Sequence, residues 1–366
     1  MKMILNASFD TYTGYGNDAV DMAVQFERMG IDVVPWPDHI SPGLPKAFTD
    51  LLTKDPKKDY DLTVKFAPPF DIRPEEFAHL GRTAVGWSMW ERTPLLRADM
   101  FDHGWENPYD RPQWWSKPEG WESTPKLEKD WLDLMVVTCH DNVEAFQHLD
   151  PAMEYAVCPN GIDTNRFPEM DRSENKQFTF ASVGMLAGRK DVFATLAAWK
   201  MAKEMDPEFD ARLILKTATT GLHPQLMDIF PDLTIISDVW PQERLIAFYS
   251  QVDCLVSTSR GEGNNKPAME FMSTGGPVMA TEWSGHMNWL HPDSGYPLPG
   301  HLVEDPHTGA SDFRVDISTT ANTFLHVWRN QEEAKRKGVQ AAKRIRAELS
   351  WEKVCERFIQ HAVRAM

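Results

Sequence analysis

Strand-like apolar runs alternate with amphipathic helical stretches along most of this chain, and the alternation starts twice. Met3 to Ala7 is apolar and β-like, Asn17 to Met29 sets Val20, Ala23, Val24 and Met29 on a helix, Gly30 stops that helix, and Ile31 to Val34 is the next strand. Leu62 to Phe66, Thr83 to Trp90 and Leu134 to Cys139 continue the series, with a helix from His140 to about Leu149. A polar run, Glu169 to Gln177, interrupts it. The pattern then resumes with Phe178 to Val183, a helix through Ala202, Arg212 to Lys216, Leu233 to Ile236, and a helix ending at Tyr249. Strands alternating with helices predict parallel sheets covered on both faces. A length of 366 residues suffices for two such domains, each with its own core.

The stretch with most chemistry is Ser257 to Val278, STSRGEGNNKPAMEFMSTGGPV, which follows the buried strand Cys254–Val256 and leads into another, Val278 to Thr281. Gly261 and Gly263 permit tight turns, Pro267 suits a first helical turn, and Gly275-Gly276-Pro277 ends the helix. Backbone N–H groups and the helix dipole at that turn favour a polar or anionic ligand. Glu262 in the loop and Glu270 in the helix are placed to accept hydrogen bonds from sugar or ribose hydroxyls. From residue chemistry alone, a surface loop carrying two solvated glutamates fits as well.

Composition narrows the partners. A formal net charge of −16 argues against a broad phosphate-binding surface for nucleic acid, while leaving room for a local basic pocket. No apolar run approaches the roughly 18 residues of a membrane span, and MKMILNASFD reads as a first strand rather than a signal peptide. Cys139, Cys158, Cys254 and Cys355 lack paired spacing, so free buried thiols in a reducing cytoplasm are expected. No metal-ligand motif is found. Asp59-Tyr60-Asp61 precedes its strand, which is the wrong edge of an open sheet for a ligand, and is taken as a capped strand start.

Other candidates are scattered. Gly14 and Gly16 form a Gly-x-Gly turn between the first strand and helix. Arg189 and Lys190 stand together before a helix, where two cations oppose the dipole unless an anion sits there. Asp99 to Trp121 reads as a long loop carrying Trp105, Tyr109, Trp114, Trp115 and Trp121. Those aromatics are either an exposed sugar-stacking platform or plugs for a groove on their own domain. Glu91 is either a ligand-facing carboxylate or a strand-end partner of Arg92.

These segments resemble the retaining GT-B glycosyltransferases of family four, the group 1 glycosyl transferases. The resemblance rests on Ser259, Glu262-Gly263, Pro267, Glu270, Ser273 and Gly275-Gly276-Pro277-Val278. Asn264-Asn265-Lys266 stands where members carry a Gly and an apolar residue. Tyr155 to Phe167, with Pro159-Asn160-Gly161-Ile162-Asp163, is similar to the interdomain sequence. Gly184 to Lys190 is similar to the Gly-Arg-Leu…Lys segment, with Met185 in place of its Arg. Leu349 to Val354 resembles the start of the last helix, and Trp90-Glu91 stands where many members place a His.

The resemblance implies two facing Rossmann-like lobes: an acceptor-side domain 1–158, a linker 159–177, a nucleotide-sugar domain 178–348, and a helix 349–366 packing back on the first. It implies transfer of a hexosyl-type group from a nucleoside-diphosphate sugar with retention, needing neither metal nor cofactor. Lys190 and Arg189 would neutralise the leaving diphosphate, Glu262 would hold the sugar and Glu270 the ribose. Gly263, Asn264, Asn265, Lys266, Gly14, Gly16 and Val239 would contact the donor, and Glu91, Trp114 and Trp115 the acceptor. Glycan, lipid, small molecule and modified nucleobase all remain as acceptors. A nucleotide-sugar epimerase on the same fold, or an inactive sugar- or nucleotide-binding protein, is the alternative.

Overall fold

The computed structural model describes residues 1–11, 13–54, 59–96, 115–117, 131–185, 188–218, 230 and 233–366. Two units compose it: Met1–Gly161 together with Trp351–Met366, and Ile162–Ser350.

The first unit holds a six-stranded sheet in the order β2-β1-β3-β4-β5-β6, every pair parallel. Its strands are β1 (Lys2–Phe9), β2 (Asp32–Ile40), β3 (Tyr60–Phe66), β4 (Gly81–Ser88), β5 (Leu134–Val137) and β6 (Tyr155–Val157). β2 runs past the expected end at Val34, through Pro35 and Pro37. It lies on the sheet edge, where a proline's missing N–H costs no ladder bond on the open side. Helix α1 (Gly14–Arg28) starts earlier than the apolar periodicity suggests, because Thr13 caps it by accepting from the Gly16 N–H at 3.0 Å. Asp61 lies within β3 and accepts the Lys2 N–H at 2.9 Å.

Helix α2 (His140–Gln147) covers part of this sheet, and α8 (Trp351–Ala365) belongs to the same unit. Phe358 of α8 stacks on Trp87 at 4.6 Å and lies 5.5 Å from Phe26 of α1. Asn160 Nδ2 donates to Asp18 Oδ2 at 2.7 Å, and a side chain at Gly161 would collide with the Trp351 indole. All four cysteines are free and buried.

Trp115 corrects one expectation. It is fully buried, its Nε1 donates to the Ile72 carbonyl at 3.2 Å, and its ring stacks on Phe146 at 5.5 Å. Its backbone N–H is held by Asp150 Oδ2 at 2.7 Å. An indole already packed inside its own unit is no exposed platform; Trp115 is a plug. Trp105, Tyr109, Trp114 and Trp121 lie outside the described residues.

The second unit repeats the plan with the order β12-β11-β10-β7-β8-β9, again all parallel. Its strands are β7 (Thr179–Val183), β8 (Arg212–Thr217), β9 (Leu233–Ser237), β10 (Cys254–Ser257), β11 (Val278–Thr281) and β12 (Tyr296–Leu298). Helices α3 (Val192–Met205), α4 (Gln242–Tyr249), α5 (Lys266–Ser273), α6 (Ile317–Arg329) and α7 (Gln331–Glu348) accompany them. Phe180, Trp199, Phe209 and Phe324 interlock edge-to-face in the core. Leu302-Val303-Glu304, which by its apolar pair also reads as a late strand, is part of an antiparallel hairpin outside the main sheet, β13 (Gly300–Glu304) with β14 (Ser311–Val315). From β7 the chain moves outward one way to β9, then returns to β10 and moves outward the other way. The reversal puts a crevice outside the carboxyl ends of β7 and β10, where open α/β sheets bind ligands.

Candidate functional site

Two segments meet at that crevice: 188–191, beyond β7, and 258–265, after β10. They are laced together. Arg260 N–H donates to the Arg189 carbonyl at 2.8 Å, and Thr258 Oγ1 to the Asp191 carbonyl at 2.8 Å. Arg260 Nε donates to Asp191 Oδ2 at 2.8 Å, which fixes Asp191 in a left-handed conformation at φ 42 just before α3. Arg314 and Asp312 of β14 extend this charge cluster, with Arg314 Nη1 3.6 Å from Asp191 and its Nε 2.9 Å from Asp312.

At the centre sits Glu262, 3 % exposed. Lys190 Nζ and Ser259 Oγ (2.6 Å) donate to its Oε1, and Arg189 Nη1 donates to its Oε2 at 2.9 Å. Burial alone would raise the Glu262 pKa, but the adjacent Lys190 and Arg189 charges outweigh it and hold the carboxyl at about 2. The carboxylate therefore stays ionised, and both cations are anchored at the crevice mouth.

The loop is also held from behind by the turn that follows β11. Gly285 N–H and Ser284 Oγ donate to the Glu262 carbonyl at 2.9 and 3.1 Å, and Trp289 Nε1 to the Asn264 carbonyl at 2.7 Å. A Cβ at Gly285 would overlap the Gly263 carbonyl, so the two backbones touch only because this residue is glycine. Asn265, left-handed at φ 59, precedes α5 and donates through Nδ2 to Ser257 Oγ at 2.8 Å, with His286 Nε2 3.0 Å away. His286 is fully buried; burial, more than the opposing pull of Glu262, drops its pKa to about 4 and keeps the ring neutral.

Glu270 lies inside α5, buried, and accepts from the Tyr249 hydroxyl at 3.1 Å. Lys266 opens the same helix, half-buried. Val239 and Met185 are exposed at the ends of β9 and β7. The structure thus brings Arg189, Lys190, Glu262, Gly263, Asn264 and Asn265 into one constellation in the second unit.

Gly14, Gly16, Glu91 and Trp115 lie in the first unit. Gly16 is packed so tightly on the Asp10 carboxylate that a side chain would clash, whereas Gly14 faces open space. Tyr15 places its ring 5.1 Å from Phe66 and its hydroxyl 3.4 Å from the Met89 carbonyl. Burial, and then the nearby Glu91 charge, push the Tyr15 hydroxyl well above its ordinary pKa. The backbone next to Glu91 is pinned by Asn142, whose Nδ2 donates to the Trp90 carbonyl at 2.7 Å and whose Oδ1 accepts the Trp90 N–H at 3.2 Å.

Sequence reasoning passed over Lys216, Arg260, His286 and Trp289. For Lys216 the signal was present: a lone cation ending the apolar run Leu213-Ile214-Leu215. Among the described residues no group of three or more His, Cys, Asp or Glu is placed to hold a metal ion, and no helix is long and apolar enough to cross a membrane.

No protein-family model matches the sequence, and no curated protein matches it significantly. Solved structures do. Sucrose-phosphate synthase from Thermosynechococcus elongatus superposes with a TM-score of 0.64 at 15% identity, over 99% of this chain and 98% of its own. HepE of Anabaena, solved in complex with UDP-glucose, gives 0.64 at 12% identity over 100% of both chains. A glycosyltransferase from Rickettsia africae gives 0.64 at 10% identity over 99% and 98%. With two all-parallel sheets of matching layout, this chain has the GT-B fold of those glycosyltransferases.

Proposed function

We propose that this chain transfers a hexosyl-type group from a nucleoside-diphosphate sugar to an acceptor, with retention at the anomeric carbon and with neither divalent metal nor cofactor. The observation that carries the reading is the Arg189–Lys190–Glu262 cluster at the crevice between β7 and β10. The complex of HepE with UDP-glucose makes uridine nucleotides the first donors to test.

In this reading Lys190 and Arg189 neutralise the departing diphosphate, lowering the barrier electrostatically as the sugar–phosphate bond breaks. The acceptor oxygen attacks from the same face, and the leaving phosphate oxygen takes its proton, so no side-chain base is required. Glu262 has lone pairs left to hold a sugar hydroxyl. Glu270 takes the ribose, with Tyr249 orienting its carboxylate. Acceptor contacts are assigned to the first unit, with Glu91 among them.

Titration calorimetry on two variants tests this. Glu270→Gln is expected to weaken UDP and UDP-sugar alike by roughly ten- to a hundredfold, as loss of a charge-assisted hydrogen bond does. Glu262→Gln is expected to spare UDP and impair sugar-dependent binding and turnover. Transfer is expected to persist in chelator. Unchanged binding and turnover in both variants would sink the reading, and donor conversion without acceptor would turn it toward an epimerase.

A further inference from the structure

The crevice continues into a narrow cavity of about 10 Å³ whose lining includes Ser182, Gly184, Lys190, Lys216, Ser257 and Ser259 beside four apolar residues. Lys216 lies near the end of β8 and is 6 % exposed. Its Nζ donates to the carbonyls of Asp238 at 2.6 Å and Thr217 at 3.2 Å, and lies 4.5 Å from the Trp240 ring. An ammonium has three N–H donors, so one is left over. Among the described residues no carboxylate comes within ion-pair distance of it. The nearest, Asp238, is engaged by Trp240 Nε1 at 3.0 Å and Arg244 Nη1 at 3.3 Å.

A buried cation held only by neutral carbonyls is costly, and burial lowers the Lys216 pKa. Three serines of the lining add hydroxyls that can donate to phosphoryl oxygens.

We infer that Lys216 is a second phosphoryl contact of the donor site, so that a diphosphate seated at the mouth of the cavity meets both Lys190 and Lys216. The inference rests on the donor reading above and adds a residue to it. The competing role is a brace, in which Lys216 merely ties the end of β8 to the turn carrying Asp238 and Trp240.

Calorimetry on the full chain separates the two, with UDP, GDP, ADP, their nucleosides and inorganic pyrophosphate as probes. Lys216→Met is expected to weaken the preferred nucleoside diphosphate and pyrophosphate at least tenfold, to leave the nucleoside unchanged, and to be largely rescued by Lys216→Arg. Lys216→Gln, which keeps N–H donors for the two carbonyls, serves the same comparison if the methionine variant fails to fold. Equal losses for nucleoside and diphosphate, or no loss at all, would overturn the inference and leave the donor reading intact. A wild-type protein that binds none of the probes would overturn both.

Discussion

Glu262 and His286 are neighbours whose buried states respond to acid in opposite chemical senses but with the same effect on stability. The Glu262 pKa lies below its ordinary value, at about 2, so its contribution is complete above about pH 4.5 and is lost as pH falls toward 2. His286, at about 4, is buried neutral. Its unfolded form takes up a proton near pH 6.5 that the folded form refuses, so stability falls between about pH 6.5 and 4. Each shift corresponds to about 3 kcal/mol. His286→Gln is therefore expected to flatten the fall in unfolding free energy between pH 6.5 and 4 by one proton's worth. Denaturant melts at stepped pH check it, and an unaltered slope would mean that the ring is not buried neutral. Asn265→Ala puts a residue less tolerant of the left-handed region at φ 59 and removes the bond to Ser257; a loss of about 1–3 kcal/mol in the same melts is expected.

The loop between β10 and α5 is not a free strand-to-helix connection. It is pressed between the Arg189–Asp191 segment in front and the Ser284–Trp289 turn behind. Gly285→Ala is expected to displace the Gly263 carbonyl, lowering the melting temperature and weakening the proposed nucleotide-sugar binding severalfold. Titration of the variant alongside its thermal melt decides this; a large melting shift with intact affinity would make Gly285 only a packing residue. The alternation of strands and helices was legible because it depends on local periodicity. The Ser284–Trp289 support was not, since its bonds to Glu262, Asn264 and Asn265 join segments about 20 residues apart with no periodic signal. The burial of Lys216 and Trp115, though not their presence, was obscured for the same reason. Their burial depends on Asp238 and Trp240 in one case and on Ile72, Phe146 and Asp150 in the other. The first strand of the hairpin was legible at Leu302-Val303-Glu304, but its antiparallel pairing with β14 was not, because that strand is exposed along its whole length and leaves no alternation to read.

Across the whole molecule, the two units place different demands on the chain. In the first, Phe358 fills the space between Trp87 and Phe26, so Phe358→Ala is expected to destabilise that unit by about 3–5 kcal/mol while the nucleotide binding proposed for the second survives. Hydrogen exchange resolved by segment checks it, and uniform loss of protection in both units would contradict it. The ordering of the chain carries a further consequence. Residues 162–350 form the second unit without interruption, whereas the first needs Met1–Gly161 and also Trp351–Met366. During synthesis the first sheet must wait, its Trp87 surface uncovered, while nearly 200 more residues emerge. Nascent domains usually mature in the order they are made; here the later-made unit is free to finish first. An incomplete N-terminal half therefore coexists with a finished second unit until α8 has emerged, and through that interval the apolar face that Phe358 later covers stays open to water.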